Sequence, residues 1–112
     1  MTLSHSMLID GRLVGAQSGD EYANINPATE ETLGTAPDAR APAVEAAIAA
    51  ARRAFDESEW STDVALRVHC LRQLHQAALD HLDELIELTI AEVGAPRMLC
   101  DGPQVRTPID YL

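Results

Sequence analysis

Three segments between Pro37 and Gly94 place apolar residues at three- and four-residue intervals, a spacing that predicts amphipathic helices. The first, "APAVEAAIAAARRAF", is rich in Ala, the residue with the highest helix propensity. Pro42 suits the first turn of this helix, where its missing N–H breaks no bond. Arg40 or Ala41 stands where Ser or Asp would cap the helix, so we expect a weak start, by about 1 kcal/mol.

The second and third helical segments follow the loop "DESEW", which holds the single Trp. Ser61 or Thr62 is expected to cap the second helix, and Asp80 is expected to cap the third or to join the two. Gly94 followed by Pro96 predicts the end of the third helix. The apolar stripes are Val64, Val68, Leu71, Leu74 and Ala78, then Leu82, Leu85, Ile86, Thr89, Ile90 and Val93.

Two short stretches before the helices have the composition of β-hairpins. In "MLIDGRLV", Asp10-Gly11 separates two apolar runs, and Gly accepts the positive φ of a tight turn. In "YANINPATEETLGTAP", Pro27 cannot donate to a sheet and favours an extended Asn26. We therefore predict a second hairpin with "NPATEE" as its bend.

These patterns divide the chain into an expected disordered start (1–6), two β-hairpins (7–37) and a helical part (38–112). The segment "RMLCDGP" is predicted as a turn, and a last helix is predicted from about Pro108 to Leu112. One helical turn is too short to be stable by itself. We therefore expect the chain to be the first part of a longer protein, truncated at its carboxyl end, with apolar stripes that need a cover.

The net charge of −10, with Arg as the basic residue throughout and no Lys, disfavours nucleic acid and acidic membranes as partners. No apolar run approaches the ~18 residues of a membrane span, and the amino terminus lacks the pattern of a secretion signal. We therefore expect a soluble, cytoplasmic protein. Cys70 and Cys100 are then expected to be free thiols.

No residue pattern by itself names a reaction. His69, His75 and His81 recur every six residues, which places them on different helix faces and disfavours a metal cluster. Cys70 cannot pair with its neighbour His69 as nucleophile and base, because adjacent helical side chains diverge by about 100°. Cys100 lies in a turn without an adjacent base. The acidic residues have the spacing of solvated faces, and no dinucleotide-binding or Walker motif occurs.

Taken in order, "LIDGRLV", "INPATEETLGTAP", "VEAAIAAARRAFDESEWS" and "ALRVHCLRQLHQAALDHLDELIELTIAEVGAP" resemble the amino-terminal segment of the NAD(P)-dependent aldehyde dehydrogenase superfamily. The resemblance covers Met7 to Leu112 but only the opening part of a family member. It implies an α/β fold, in which this piece, mostly helical, is two β-hairpins followed by three to four α-helices at the start of the cofactor-binding domain. Ala95 departs from the Lys of the family's Gly-Lys-Pro turn, and Glu31 extends the bend where Gly is common.

The resemblance also implies which functional residues to expect. The catalytic cysteine, the glutamate base, the oxyanion-hole asparagine and the nucleotide-binding turn would all lie beyond Leu112, so no catalytic or cofactor-binding residue is expected here. Some relatives bind a structural monovalent cation through backbone carbonyls just before the Asn-Pro dipeptide. These positions correspond to Asn24 and Ile25, which are the candidate metal-site residues of this chain.

Two functions remain open from the sequence. In the first, the chain is a piece of an aldehyde dehydrogenase that oxidises an aldehyde to a carboxylic acid with NAD or NADP, and the piece alone is inactive. Its partner would be the remainder of the dehydrogenase fold or a homo-oligomer partner. In the second, the chain is a small non-enzymatic helical module that binds another protein through its exposed stripes.

Overall fold

The computed structural model describes residues 6–16 and 19–112, so most of the segment predicted to be disordered lies outside the described residues. The first predicted hairpin is present: strands β1 (Met7–Ile9) and β2 (Arg12–Val14) pair antiparallel, with Leu8 opposite Leu13. Asp10 and Gly11 have φ values of 53° and 72°. Positive φ at both central residues is the conformation of a type I′ turn, which explains the Asp-Gly sequence.

The second hairpin consists of β3 (Glu21–Ile25) and β4 (Thr32–Pro37), which form a separate two-stranded sheet. Its bend is closed by the Asn26 N–H, which donates to the Glu31 carbonyl at 2.9 Å. Across the strands, the Thr35 hydroxyl donates to the Glu21 carboxylate at 2.7 Å. The predicted bend at "NPATEE" is therefore confirmed.

Helices make up most of the remaining chain, which confirms the predicted fold class of two hairpins followed by helices. The long helices are α1 (Ala41–Glu57), α2 (Val64–Asp80) and α3 (Leu82–Val93). The segment predicted as a turn begins with a short helix, α4 (Arg97–Leu99), and continues into a π-helical turn at Cys100–Gln104. The backbone is kinked at Gly102, whose φ of −132° and ψ of −118° are not helical, so the chain does turn there. The last helix, α5 (Arg106–Asp110), begins two residues before the predicted Pro108.

The start of α2 differs from the prediction. Asp63 caps this helix, because its Oδ1 accepts the Leu66 N–H at 3.0 Å. The predicted caps belong to a preceding 3₁₀ turn, Glu59–Ser61, which ends where the Thr62 N–H donates to the Glu59 carbonyl at 3.1 Å. That extra turn moves the start of α2 past both hydroxyl residues.

The joint between α2 and α3 is His81 rather than Asp80. Its N–H donates to the Ala77 carbonyl at the end of α2, and its carbonyl accepts the Leu85 N–H at the start of α3. Asp80 is the last residue of α2, and its side chain accepts a hydrogen bond from Gln76 at 2.8 Å. It therefore caps neither helix.

The α1 amino terminus has no side-chain cap, as predicted from Arg40. The Arg40 guanidinium instead forms ion pairs with Asp20 at 3.2 Å and Asp38 at 3.1 Å, which flank the second hairpin. All three side chains are exposed, so each pair contributes only about 0.2–1 kcal/mol. Arg40 thus links the hairpin to the start of α1 in place of capping it.

The chain divides into two compact units. The first contains Met1–Asn24 and Thr32–Thr62, and the second contains Ile25–Glu31 and Asp63–Leu112. In the second unit Ile86, Ala95, Cys100 and Val105 form a buried cluster, against which partly buried Leu82, Leu85, Ile90 and Ile109 pack. In the first unit Ala43 is the one buried apolar residue among those described. The apolar stripe of α1 remains exposed: Val44, Ile48 and Phe55.

Replacing Asp63 by Ala should lower the free energy of unfolding of the second unit by about 1 kcal/mol, because it removes the acceptor for the Leu66 N–H. Asp63→Asn keeps an acceptor and should lose less. Ser61→Ala is the matched control, since Ser61 does not cap α2, and should stay within about 0.5 kcal/mol of the parent. Peptide-resolved hydrogen exchange of α2, which reports on local opening within the second unit, measures all three. A larger loss for Ser61→Ala than for Asp63→Ala would contradict the assignment.

Candidate functional site

The candidate metal-site residues, Asn24 and Ile25, are the last two residues of β3. Their expected ligands are backbone carbonyls, so side-chain chemistry gives no direct signal for them. The Ile25 side chain is half exposed, with 52% of its surface accessible. In the structure, a hydrogen-bonded bend directly follows Asn24 and Ile25.

Asn26 organises this bend. Its side-chain oxygen accepts the N–H groups of Ala28 at 2.8 Å and Thr29 at 3.3 Å, an Asx turn. Its carbonyl accepts the Glu30 N–H at 2.8 Å, and Glu30 itself has a left-handed φ of 61°. The bend therefore has a defined backbone path that depends on the Asn26 side chain, and the sequence had assigned only Pro27 to this role.

Pro27 lies against the end of α3. Gly94 closes that helix with a left-handed φ of 65°, and its N–H donates to the Ile90 carbonyl at 3.0 Å. A Cβ placed on Gly94 would lie 3.1 Å from Cγ of Pro27. The left-handed conformation favours glycine at position 94, and a Cβ there would also press on the Pro27 ring by a few tenths of an ångström. The sequence predicted the first reason but not the second.

The two cysteines differ in their surroundings. Cys100 is fully buried in the core of the second unit, and its thiol lies 3.8 Å from the side-chain oxygen of Gln104. Cys70 is half-buried on α2, and both thiols are free. A reactive cysteine needs an accessible thiol beside a base or a positive charge. Burial removes Cys100 from this class, and no described contact supplies a base for Cys70.

Ionisable groups form pairs rather than a reactive cluster. Within residues 6–16 and 19–112, no group of three or more His, Cys, Asp or Glu side chains could hold a metal ion. Glu87 of α3 binds Arg97 of α4. The hydrogen bond and the negative charge of Glu87 raise the pKa of Arg97 above its ordinary value. Because the pKa of this base is raised, the stabilisation from the Arg97 charge is lost only as the pH rises through its folded-state pKa, far above the physiological range.

The arrangement is thus a structural junction, in which the bend after β3 packs against the end of α3 and the Glu87–Arg97 pair links α3 to α4. These long-range contacts could not be found from sequence. The two partners of the ion pair are ten residues apart and lie on different helices.

No helix in the described part of the chain has the length and apolar character to span a membrane.

Gly94→Ala should destabilise the second unit more than Gly11→Ala destabilises the first. Both substitutions place Ala at a left-handed φ, which costs about 1–2 kcal/mol. Only the Cβ at position 94 meets Pro27, and overpacking adds about 1–3 kcal/mol. Peptide-resolved hydrogen exchange in the unit that carries each substitution checks this. Equal losses at the two positions would show that the Pro27 contact does not constrain Gly94.

Comparisons with known proteins agree on one family. The family model described as "Aldehyde dehydrogenase family" matches residues 13–112. The betaine aldehyde dehydrogenase of Vibrio vulnificus strain YJ016 is 36% identical over 105 residues, which are 93% of this chain and 21% of that protein. The chain thus spans about a fifth of the length of the curated relatives it matches.

Solved structures agree with the sequence comparison. A crystal structure of the NAD-dependent aldehyde dehydrogenase from Sinorhizobium meliloti is similar with a TM-score of 0.82 at 33% identity, over 89% of this chain and 20% of that chain. The NAD⁺ complex of the Bacillus cereus aldehyde dehydrogenase is similar with a TM-score of 0.84 at 29% identity, over 96% and 21% of the two chains. The observed hairpins and helices therefore occur together in larger proteins.

Proposed function

Because the chain belongs to the aldehyde dehydrogenase family, we propose that it forms the amino-terminal part of an enzyme that oxidises an aldehyde to a carboxylic acid. The observation that carries this proposal is the family match over residues 13–112. The chain spans about a fifth of the length of its relatives, which is why we propose a part of the enzyme and not the whole. The described segment would then be the start of the cofactor-binding domain, which the similar structures support.

The proposed cofactor is NAD or NADP. One similar structure is an NAD⁺ complex and another is of an NAD-dependent aldehyde dehydrogenase, which supports a nicotinamide cofactor in the family. When bound, such a cofactor accepts hydride from the substrate carbon. The residues that hold the nicotinamide are proposed to lie beyond Leu112, as the family resemblance implies.

We assign this segment no covalent step. The nucleophile of the family reaction is a thiolate that must reach an aldehyde carbon, and Cys100 is fully buried. Cys70 projects from the middle of α2 with no described base beside it. The role proposed for the segment is therefore structural, and the 112-residue chain alone is inactive.

The proposed partner of the segment is the remainder of the dehydrogenase fold or a second copy of the chain. Apolar side chains on α1 and α2 remain exposed, among them Ile48 at 64% and Val64 at 61% of their surface. Covering such side chains is favourable by about 25 cal/mol per Å² of apolar surface. The net charge of −10 repels phosphate backbones, so nucleic acid and acidic membranes are not proposed as partners.

We propose that the carbonyls of Asn24 and Ile25 contribute to a structural monovalent-cation site of the complete enzyme. The support is their position at the end of β3, directly before a bend whose backbone is fixed by Asn26.

We also propose a cytoplasmic location, which two free thiols favour because oxidising compartments promote disulfides.

A non-enzymatic interaction module is the second candidate function. The exposed stripe of α1 favours it, since contiguous apolar surface marks sites of protein contact. The two candidates differ in the coding sequence after Leu112. A continuation with a Gly-rich turn and a catalytic cysteine supports the dehydrogenase, whereas non-coding sequence there supports the module.

The purified 112-residue chain should not reduce NAD or NADP in the presence of an aldehyde. The reason is that neither of its cysteines is both accessible and paired with a base. Absorbance of the reduced nicotinamide measures the reaction, with a full-length family member as positive control. Turnover that survives the double substitution Cys70→Ala and Cys100→Ala would contradict the proposed structural role.

The same chain should bind a hydrophobic dye or self-associate, and it should melt without a sharp transition, because its apolar stripes lack a cover. Ile48→Ser on α1 should reduce dye fluorescence, whereas Glu45→Ser, one turn earlier, should leave it unchanged. Fluorescence titration and sedimentation measure both effects. A monomer with a single cooperative melt and no dye binding would contradict the proposal that another protein surface buries these apolar side chains.

A further inference from the structure

The turn of the first hairpin carries a reactive sequence, Asp10 followed by Gly11. The Asp10 side chain is 64% exposed, and a Cβ built on Gly11 would meet no atom within 4 Å. In a two-residue turn the residues on either side of it, here Ile9 and Arg12, form the last pair of the two strands. The Gly11 N–H is therefore not one of the hydrogen bonds between the strands. A second Asp-Gly pair, Asp101 and Gly102, lies in the π-helical turn.

We propose that Asp10-Gly11 is a site of spontaneous aspartate isomerisation and that Arg53 restrains it. In this reaction the Gly11 amide nitrogen attacks Cγ of Asp10 and forms an N–C bond. The carboxylate takes up one proton from solvent, and its hydroxyl then leaves with the amide proton as water, which gives a five-membered succinimide. Solvent water then adds to either ring carbonyl. Ring opening releases a carboxylate and returns that proton to solvent. It gives back Asp or gives a β-linked isoaspartate of unchanged mass, and no other reactant is needed.

The hairpin has little to keep its turn closed. Its strands are three residues each, and an isolated two-stranded hairpin is marginally stable at best in water. Opening of the turn lets Asp10 leave its left-handed φ and sample backbone conformations in which the Gly11 nitrogen reaches Cγ. Gly offers no Cβ to obstruct that approach.

Arg53 of α1 opposes this opening. Its guanidinium nitrogen lies 2.9 Å from Oδ1 of Asp10 and holds the carboxylate toward the helix. Beneath the pair, Leu8 and Ile9 line an apolar groove with the small side chains Ala47, Ala50, Ala51 and Ala54. The ion pair therefore restrains both the reacting carboxyl group and the position of the hairpin.

Asp101-Gly102 supplies an internal comparison. It directly follows Cys100, which is fully buried, and it precedes Val105, which is also buried in the core of the second unit. Opening of this turn requires disruption of that core, so its isomerisation should be slower. At Asp10 the extra main-chain methylene of isoaspartate would break the register of β1 with β2 and release the hairpin from α1.

The test is incubation of the purified chain at neutral pH and physiological temperature in oxygen-18 water, followed by trypsin digestion and mass spectrometry. Cleavage at Arg12, Arg97 and Arg106 separates the two Asp-Gly pairs into the peptides 1–12 and 98–106. Each ring opening adds one heavy oxygen, and isoaspartyl methyltransferase identifies the product. We expect several-fold faster incorporation at Asp10 than at Asp101 in the folded chain and similar rates in urea.

Substitutions isolate the role of Arg53. Arg53→Gln should raise the Asp10 rate roughly two- to five-fold, the factor that an exposed ion pair supports. Arg52→Gln is the matched control, because Arg52 pairs with Asp56 at 2.6 Å, and it should leave the rate unchanged. Arg53→Lys keeps the charge and should lie close to the parent.

Equal rates at the two Asp-Gly pairs in the folded parent chain would overturn the proposal, and this comparison needs no variant. Equal acceleration by Arg52→Gln and Arg53→Gln would overturn the role of Arg53. Circular dichroism shows whether each variant keeps its helices. If Arg53→Gln unfolds, the comparison of Asp10 with Asp101 in the parent chain, in buffer and in urea, decides whether Asp10 is the isomerisation site.

Discussion

The packing of Ile86 against the turn that holds Cys100 is the interaction on which the second unit depends. Ile86 keeps 2% of its surface exposed and Cys100 none. Burial of one large aliphatic side chain is worth about 1.5–3 kcal/mol, so a cluster of four buried residues gives a small core. The left-handed Gly94 ends α3 immediately before Ala95, which joins the cluster. The direction of the chain after α3 is thus tied to the core itself.

The first unit is held together in a different way. Ala43 is the one buried apolar residue among its described positions, and its elements are linked by ion pairs on exposed side chains. Each such pair contributes about 0.2–1 kcal/mol, less than a buried leucine. A segment built in this way is consistent with a scaffold whose apolar faces are completed by another surface. The same weakness exposes the turn at Asp10-Gly11 to chemical change.

The sequence was sufficient for features that depend on local chemistry. Helical spacing predicted α1, α2 and α3, the Asp-Gly pair predicted the first turn, and Gly94 predicted the end of α3. It failed where local signals compete. Ser61 and Thr62 were predicted as caps, but Asp caps as well as Ser does, and the 3₁₀ turn Glu59–Ser61 leaves Asp63 at the start of α2. Gly102 and Pro103 suggested a turn, and the backbone is kinked at Gly102, but the residues before it, Arg97–Leu99, form a short helix.

Long-range contacts could not be predicted at all. The approach of Pro27 to Gly94 and the pairing of Glu87 with Arg97 follow from the fold and leave no local pattern. The candidate cation-site residues came from family resemblance, because backbone ligands carry no side-chain signature. From the residues alone, we predicted no reactive constellation beside the two cysteines.

Native-state hydrogen exchange, resolved by peptide, tests most directly whether stability is concentrated in the core around Cys100. Opening free energy rises with buried apolar contact, so protection should follow the core. We predict the slowest exchange in α3 and in the turn Cys100–Gln104, with clearly faster exchange in α1 despite its 17 residues. Protection of α1 equal to that of α3 would contradict this account, because it would show that the first unit has a core of its own.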